Sequence, residues 1–392
     1  MHLFLVHRPE AIGRRRLKVA QLLYCGLGGH GSVAFSLIAG DTERTWTHAL
    51  CFIGIEPLLP AYAAQCADAG IGYRYVPTRP GKPWRSWRAV RQWLETERPD
   101  ALIVHSATAL PVCLRFAARH NVPVIVVEHS APLIRRSRDW GLSAVALLLA
   151  DRTVLVSSRM GAAMEKRFGR RLVRAKASVI PNGVDSRLFH AAGGQDAARA
   201  SVTRLGMAGR FAAPKRQAFL VSLIERLRAR TDGREWQLTL AGDGEKRGSV
   251  ERLATDTEQH VAFAGMLAEA ELARWFRTLD IYVHASDGEA QSTAILQAMA
   301  SALPVVASDV DGLSEQVESG FGLTLTNGDP GAWVEALREL ADAPDRRAAM
   351  GREARRRCEE EFSAPAMHAR YDQLIRDCRE RRGAAAAAST SS

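Results

Sequence analysis

The chain has 392 residues, 47% of them hydrophobic, 24% charged and 7% aromatic, with a net charge of +10. That balance excludes a polytopic membrane protein, a fibrous repeat and a largely disordered chain, and the length suffices for two or three domains with separate cores. The basicity is one-sided: residues 1–185 hold 26 Lys and Arg against 13 Asp and Glu, the remainder 27 against 30. An acidic partner, either nucleic acid or an anionic membrane surface, is therefore expected for the first half alone.

Apolar, β-branched runs alternate with helix-length segments along the chain. Strands are predicted at Val19–Cys25, His48–Ile53, Gly72–Val76, Ala101–His105, Val122–Glu128, Thr153–Val156 and Ser178–Ile180. Helices are predicted between them at Ser32–Ala39, Trp84–Glu97, Ala109–His120 and Arg159–Arg167. The small, polar tract at 190–200 interrupts the alternation, which restarts with strands at Thr203–Met207, Gln237–Ala241, Val261–Phe263, Ile281–His284 and Pro304–Ala307. From Pro330 onward the pattern is helical, ending in a low-complexity GAAAAASTSS. Strands alternating with helices predict an α/β protein of two doubly wound, Rossmann-like domains with parallel sheets facing a cleft.

The N-terminal MHLFLVHRPEAIGRRRLK lacks the roughly 7–15-residue apolar core of a secretory signal. The longest apolar run, Leu142–Ala150, falls short of the about 20 residues that cross a bilayer. Six cysteines with no C-x-x-C pair read as reduced thiols in a cytoplasmic protein.

In such folds ligands bind beyond the carboxyl ends of the strands, so the strand-to-helix loops are the places to search. The first, CGLGGHGS, offers Gly28 and Gly29 for close backbone approach and the start of a helix for an anion, without a Walker lysine. The second, VVEHSAP, places His129 at a strand end, where it would bond a hydroxyl or simply cap the fold; His105 in VHSAT is its rival. The third, MAGRFAAPKRQ, holds Arg210 and Lys215, a fork and a point charge suited to a diphosphate or to solvent. The fourth, VHASDGEAQSTAILQ, carries Glu289 in a loop and Ser292 and Thr293 at a helix start.

These loops, with VIPNGVD at 179–185, resemble the retaining, GT-B-fold glycosyltransferases of family 4. The ordered set PNGVD, GRFAAPK, AGDG, FAG, DIYVHASDGEAQ, AMA, PVVASD and GLSE carries the resemblance. It implies that Arg210 and Lys215 hold a donor diphosphate, with Gly28, Gly29, Ser292 and Thr293 beside it. It implies further that Glu289, the first Glu of an E-x7-E element, and His129 face the donor sugar as catalytic residues. The second Glu of that element, which in the family binds the ribose hydroxyls, is Gln297 here. G-F-G after the first Glu becomes Ala290-Gln291-Ser292, and the G-G before the final Glu becomes Asp311-Gly312. No metal or other cofactor is implied; DVD at 309–311 lies in the wrong place for a D-x-D site.

The resemblance gives the basic half a place. Trp84, Trp87, Arg88 and Arg91 fall at i, i+3, i+4 and i+7, one helical face suited to a membrane interface or a pyrophosphate lipid, and equally to a core-packed Trp pair. Arg135 and Arg136 lie just past His129. The expected partners are thus a nucleotide-sugar donor and a saccharide or lipid-linked acceptor of cell-surface polysaccharide or lipopolysaccharide synthesis. An anionic membrane surface, met from the cytoplasm, would be a further partner, with no nucleic acid. The expected domains are an acceptor-side domain at 1–185, a linker at 186–200, a donor domain at 201–365, a helix at 366–383 packing back toward the first domain, and a disordered tail at 384–392. A sugar-nucleotide epimerase of the same fold, or a non-catalytic basic protein binding nucleic acid or membrane, are the competing readings.

Overall fold

Runs such as VAQLL, ALIV and VIVV cannot show one face to water without exposing β-branched side chains, so they form strands buried on both faces. The computed structural model describes residues 15–390 except 27, 133–134, 193–201, 230–232, 258 and 318–319. Its first strands are β1 Leu17–Tyr24, β2 Trp46–Gly54, β3 Tyr73–Pro77, β4 Ala101–Val104, β5 Val124–Glu128, β6 Arg152–Leu155 and β7 Ala177–Val179. They pair in parallel in the order β3-β2-β1-β4-β5-β6-β7. The second sheet comprises β8 Val202–Ala208, β9 Glu235–Ala241, β10 Val261–Gly265, β11 Ile281–His284, β12 Val305–Ser308 and β13 Gly322–Leu325. Its order is β10-β9-β8-β11-β12-β13, again parallel. The fold is therefore two doubly wound domains of the GT-B type.

Alternate residues of one strand feed opposite layers. Val19, Ile103 and Ile125 pack on one face of the first sheet; Ala20, Leu22, Leu102 and Val124 pack on the other. All six cysteines are buried and unpaired. No helix among the described residues is long and apolar enough to cross a membrane.

Strand order reverses between β1 and β4 in the first sheet and between β8 and β11 in the second. These are the topological switch points, where adjacent crossovers leave on opposite faces and open a crevice at the strand ends.

Three sequence expectations are corrected. β13 lies in a stretch that shows no strand signal of its own, GLTL, and edges the second sheet beside β12. The segment Trp84–Glu97 divides into a 3-10 turn at Pro83–Arg85 and a helix at Trp87–Glu97. Residues 384–390 are not a loose tail: one helix runs from Ala364 to Thr390, as a run of alanines, the best helix former, permits. Part of the expected linker, 193–200, lies outside the described residues.

The helix Ala364–Thr390 belongs physically to the first sheet. Met367, Tyr371, Leu374 and Ile375 join the layer containing Val19 and Ile103. Trp46 Nε1 donates to Asp372 (2.7 Å), and Arg382 grips Asp151 through two bonds. The chain crosses between domains twice, and the crossings pair: Val184 N–H donates to Phe362 O (2.8 Å) and Ala364 N–H to Val184 O (2.9 Å).

Candidate active site

Both switch points open on one cleft of ≈ 580 Å³, lined by Gly28, Gly29, His129, Arg210, Lys215, Glu289, Ser292, Thr293 and Gln297. Its centre is built by two loops that lock together. The loop after β8 and the loop after β11 pair through an antiparallel bridge between Lys215 and Ser286. Arg216 N–H donates to Ala285 O (3.0 Å) and Asp287 N–H to Pro214 O (3.1 Å). This zipper sets Lys215 Nζ against Glu289 Oε1, to which it donates directly. Lys215 Nζ also lies 3.0 Å from His284 Nε2.

His284, the last residue of β11, is fully buried, and its Nδ1 is 3.0 Å from the Tyr282 hydroxyl. Burial, and then the Lys215 charge, lower it to about 4, so the ring is neutral at pH 7. A neutral ring whose Nδ1–H donates to Tyr282 leaves Nε2 as an acceptor, and the ammonium of Lys215 donates to both His284 and Glu289. Burial alone would raise the Glu289 carboxyl. The Lys215 charge and its hydrogen bond outweigh it and hold the group at about 2. Glu289 is thus a fixed carboxylate, 15% exposed. His284 was not singled out in the sequence; its signal was an ionisable residue closing an otherwise apolar strand.

Glycine is required where these loops pass other backbone. A Cβ on Gly242, whose φ is +129°, would stand 2.1 Å from Gly209 O, beneath the Arg210 loop. A Cβ on Gly312 would stand 2.0 Å from Glu289 O and 2.7 Å from Ala290 O.

Two helices start on the cleft from opposite domains, Gly29–Ala39 and Thr293–Ala300. A Cβ on Gly29 would come within 3.6 Å of Thr293 Oγ1. Ser292 caps the second helix, its hydroxyl accepting from Ile295 N–H (3.4 Å). Its own N–H is engaged by Gln316 Oε1 (2.9 Å), so the N–H groups facing a ligand there are those of Thr293 and Ala294. One helical turn further, Gln297 is 6% exposed.

Arg210 stands at the mouth. Its guanidinium lies 3.8 Å from Glu56 of the first domain and 3.6 Å from Glu245 of the second. Other bonds tie the domains together: Asn182 N–H donates to Gln291 Oε1 (2.7 Å), and the Ser158 and Arg159 N–H groups donate to Glu315 (2.8 and 2.9 Å).

Glu269, in the first turn of the helix Glu269–Phe276, accepts from Gln65 Nε2 across the cleft (2.9 Å). Burial, and then the Asp185 charge, raise its carboxyl from 4.5 to about 7. The folded state therefore keeps a proton that the unfolded chain releases. Stability is greatest below the unfolded value, declines as pH rises through the window between the two, and levels off above the folded one. Glu269→Gln retains the acceptor for Gln65 and removes this titration. At pH 8 the variant is expected to be more stable by roughly 1–2 kcal/mol, allowing for partial solvent screening. Melting curves from pH 5 to 8 test this; superimposable pH profiles would refute it.

The other basic and aromatic candidates lie elsewhere. Trp84 is 54% exposed but sits in the 3-10 turn, not on the helix. Trp87 folds onto the first domain's core, its Nε1 donating to Thr108 O (3.0 Å). Only Arg88 and Arg91 are exposed on that helix among the four, so the single amphipathic face expected from the spacing does not form. Arg135 is not a free cation: its side chain is 1% exposed and clamps Glu128 (2.7 Å), Ser143 (2.6 Å) and Ser130 O (2.9 Å). Arg136 is exposed, immediately before the helix Ser137–Leu149.

A cleft fed by the switch points of two facing Rossmann-like domains is the arrangement of GT-B glycosyltransferases. A family model described as "Glycosyltransferase Family 4" matches residues 27–188, and one described as "Glycosyl transferases group 1" matches 202–343. The chain is 30% identical over 305 residues to the "Putative glycosyltransferase EpsF" of Bacillus subtilis, covering 72% of this chain and 77% of that protein. It is 30% identical over 213 residues to a GDP-mannose-dependent monoacylated alpha-(1-6)-phosphatidylinositol monomannoside mannosyltransferase of Corynebacterium glutamicum, spanning 50% of this chain and about half (55%) of that one. In solved structures, Anabaena HepE in complex with UDP and glucose superimposes with a TM-score of 0.76 at 17% identity, covering 92% of this chain and 99% of that chain. The sucrose-phosphate synthase of Thermosynechococcus elongatus gives 0.74 at 18%, covering 92% and 99%. The chain belongs to the family 4 glycosyltransferases.

Proposed function

We propose that the protein transfers a glycosyl residue from a nucleoside-diphosphate sugar to a lipid-linked saccharide of cell-surface polysaccharide or lipopolysaccharide synthesis, with retention of anomeric configuration. The observation that carries the donor reading is the Lys215–Glu289 pair set between Arg210 and two helix N-termini on one cleft. Arg210, Lys215 and the N–H groups of Thr293 and Gly29 meet the charge that grows on the diphosphate as the bond from the anomeric carbon breaks. The acceptor hydroxyl attacks from the same face, forms the new C–O bond and passes its proton to the leaving diphosphate. Glu289, held by Lys215, lies beside the reacting carbon as a carboxylate, and His129 bonds a hydroxyl of the donor sugar.

This reading uses no metal: the protein supplies the cationic charge, and Asp311 of the DVD sequence is paired with Arg159 instead (2.9 Å). The basic first half and the exposed Trp84, Arg88, Arg91 and Arg136 support a membrane-borne acceptor met from the cytoplasm. The similarity to a mannosyltransferase acting on a phosphatidylinositol mannoside points the same way.

The test is a donor screen with lipid extracts as acceptor, product detection by mass and the anomeric configuration of the product by NMR, together with sedimentation on anionic vesicles. Absence of transfer from every nucleoside-diphosphate sugar, or an inverted product, would overturn the reading. Gln297 provides a quantitative check. Gln297→Leu is expected to weaken nucleoside-diphosphate binding by about 1–3 kcal/mol, because ribose hydroxyls would be left unpaired, while Gln297→Glu preserves or improves it. Calorimetry with UDP, GDP and ADP reads this, and equal affinities for all three proteins would remove residue 297 from the ribose.

A further inference from the structure

Behind the cleft wall runs a chain of hydrogen bonds with a direction. Gln21 lies in β1 and is fully buried, His105 follows β4 at 8% exposure, and His129 follows β5 on the cleft. Gln21 Oε1 is 3.1 Å from His105 Nε2, and His105 Nδ1 is 2.9 Å from His129 Nε2. The two imidazoles stack, with centroids 5.2 Å apart and planes at 24°.

The structure turns Gln21 Oε1 toward the ring and leaves its buried Nε2 without a partner among the described residues; an amide oxygen can only accept, so in this orientation His105 Nε2 carries a proton. Burial, with the neighbouring histidines, holds both rings far below the ordinary histidine range, hence neutral. A neutral ring has one N–H, so His105 Nδ1 is a lone pair and His129 Nε2 must be the donor to it. His129 Nδ1 is then also a lone pair, and among the described residues no hydrogen bond is recorded at that atom.

We infer that Gln21 and His105 are positioning residues that lock His129 as its Nε2–H tautomer, so that the cleft meets the donor sugar with an acceptor nitrogen and selects a sugar hydroxyl that donates to it. The sugar selection rests on the donor reading given above; the tautomer does not. The consequence is chemical: a group that can only accept, such as fluorine or a carboxylate oxygen, is disfavoured at that position of the sugar, whereas a hydroxyl is favoured.

The experiment uses the full chain with 15N-labelled histidine. Long-range 15N–1H correlation separates protonated from bare ring nitrogens, and loss of one spin system in His129→Gln assigns the residue. At neutral pH His129 is expected to show Nε2 protonated and Nδ1 bare. In Gln21→Met, which removes the acceptor at the head of the chain, the His129 pattern is expected to reverse or mix. Binding of single-position deoxyfluoro analogues of whichever nucleoside-diphosphate hexose binds gives the second readout. One position is expected to lose about tenfold in affinity in the wild type, narrowing to under about threefold in Gln21→Met. A bare Nε2 with a protonated Nδ1 in the wild type overturns the inference, and needs no variant to fold. So does a Gln21→Met spectrum unchanged at His129, or a fluorine penalty that is the same in both proteins. If no nucleoside-diphosphate sugar binds at all, the donor reading fails and the sugar selection with it, whatever the spectrum shows.

Discussion

Lys215→Met is expected to destabilise the fold by about 3 kcal/mol and to cut turnover at least about a hundredfold. The reason is the company Lys215 keeps. It donates to Glu289 and His284 at once, in a pocket where its side chain is 17% exposed. Without it, the burial that opposes ionisation of Glu289 acts unchecked, and that carboxyl rises from about 2. The stabilisation carried by a depressed acid is present above its unfolded pKa and lost as pH falls through its folded one, so the stability gap between wild type and variant is expected to be widest near neutral pH and to narrow in acid. Glu289→Gln should cut turnover similarly, with less loss of stability. The double variant Lys215→Met/Glu289→Gln should recover most of the stability and none of the turnover. Denaturant melts and initial rates on the four proteins close the cycle. Additive stability losses would show that the pair is not coupled, and full turnover in any of the three variants would remove that residue from the mechanism.

Gly312→Ala is the second large effect, and it touches no ligand. The added Cβ would fall 2.0 Å from Glu289 O, 2.6 Å from Glu289 C and 2.7 Å from Ala290 O. All three are backbone atoms, so no side chain can rotate away and the loop itself must move. A displacement of about 1 Å at a reacting centre is enough to lose about a hundredfold in rate, and overpacking of this kind costs about 1–3 kcal/mol. Calorimetry should show nucleoside-diphosphate affinity much less affected, since Arg210 stands on a different loop. Wild-type kcat in a folded Gly312→Ala protein would mean that the position of the Glu289 loop does not matter.

The strands were readable because parallel, doubly covered strands are continuous apolar runs, and the loops because each follows such a run. β13 was not, since its four residues, GLTL, gain their strand character only from pairing with β12. Arg135 read as a surface cation because nothing local shows that Glu128 and Ser143 close over it. Trp84 and Trp87 obey helical spacing on paper, but the helix starts at Trp87. The residues of the cleft were individually visible as loop residues at strand ends. That Lys215 bonds Glu289 was not, because 74 positions separate them and the bridge from Lys215 to Ser286 that joins their loops has no sequence signature.

The helix Ala364–Thr390 inverts the order in which this protein can be finished. A chain leaving the ribosome ordinarily completes its first domain first. Here Val19 and Ile103 await Tyr371, Leu374 and Ile375, residues translated after every strand of the second sheet. The second domain can close while the first still shows one side of its sheet to water. Nascent chains halted before Ala364 should accordingly engage chaperones through their amino-terminal half, although that half has been outside the ribosome longest.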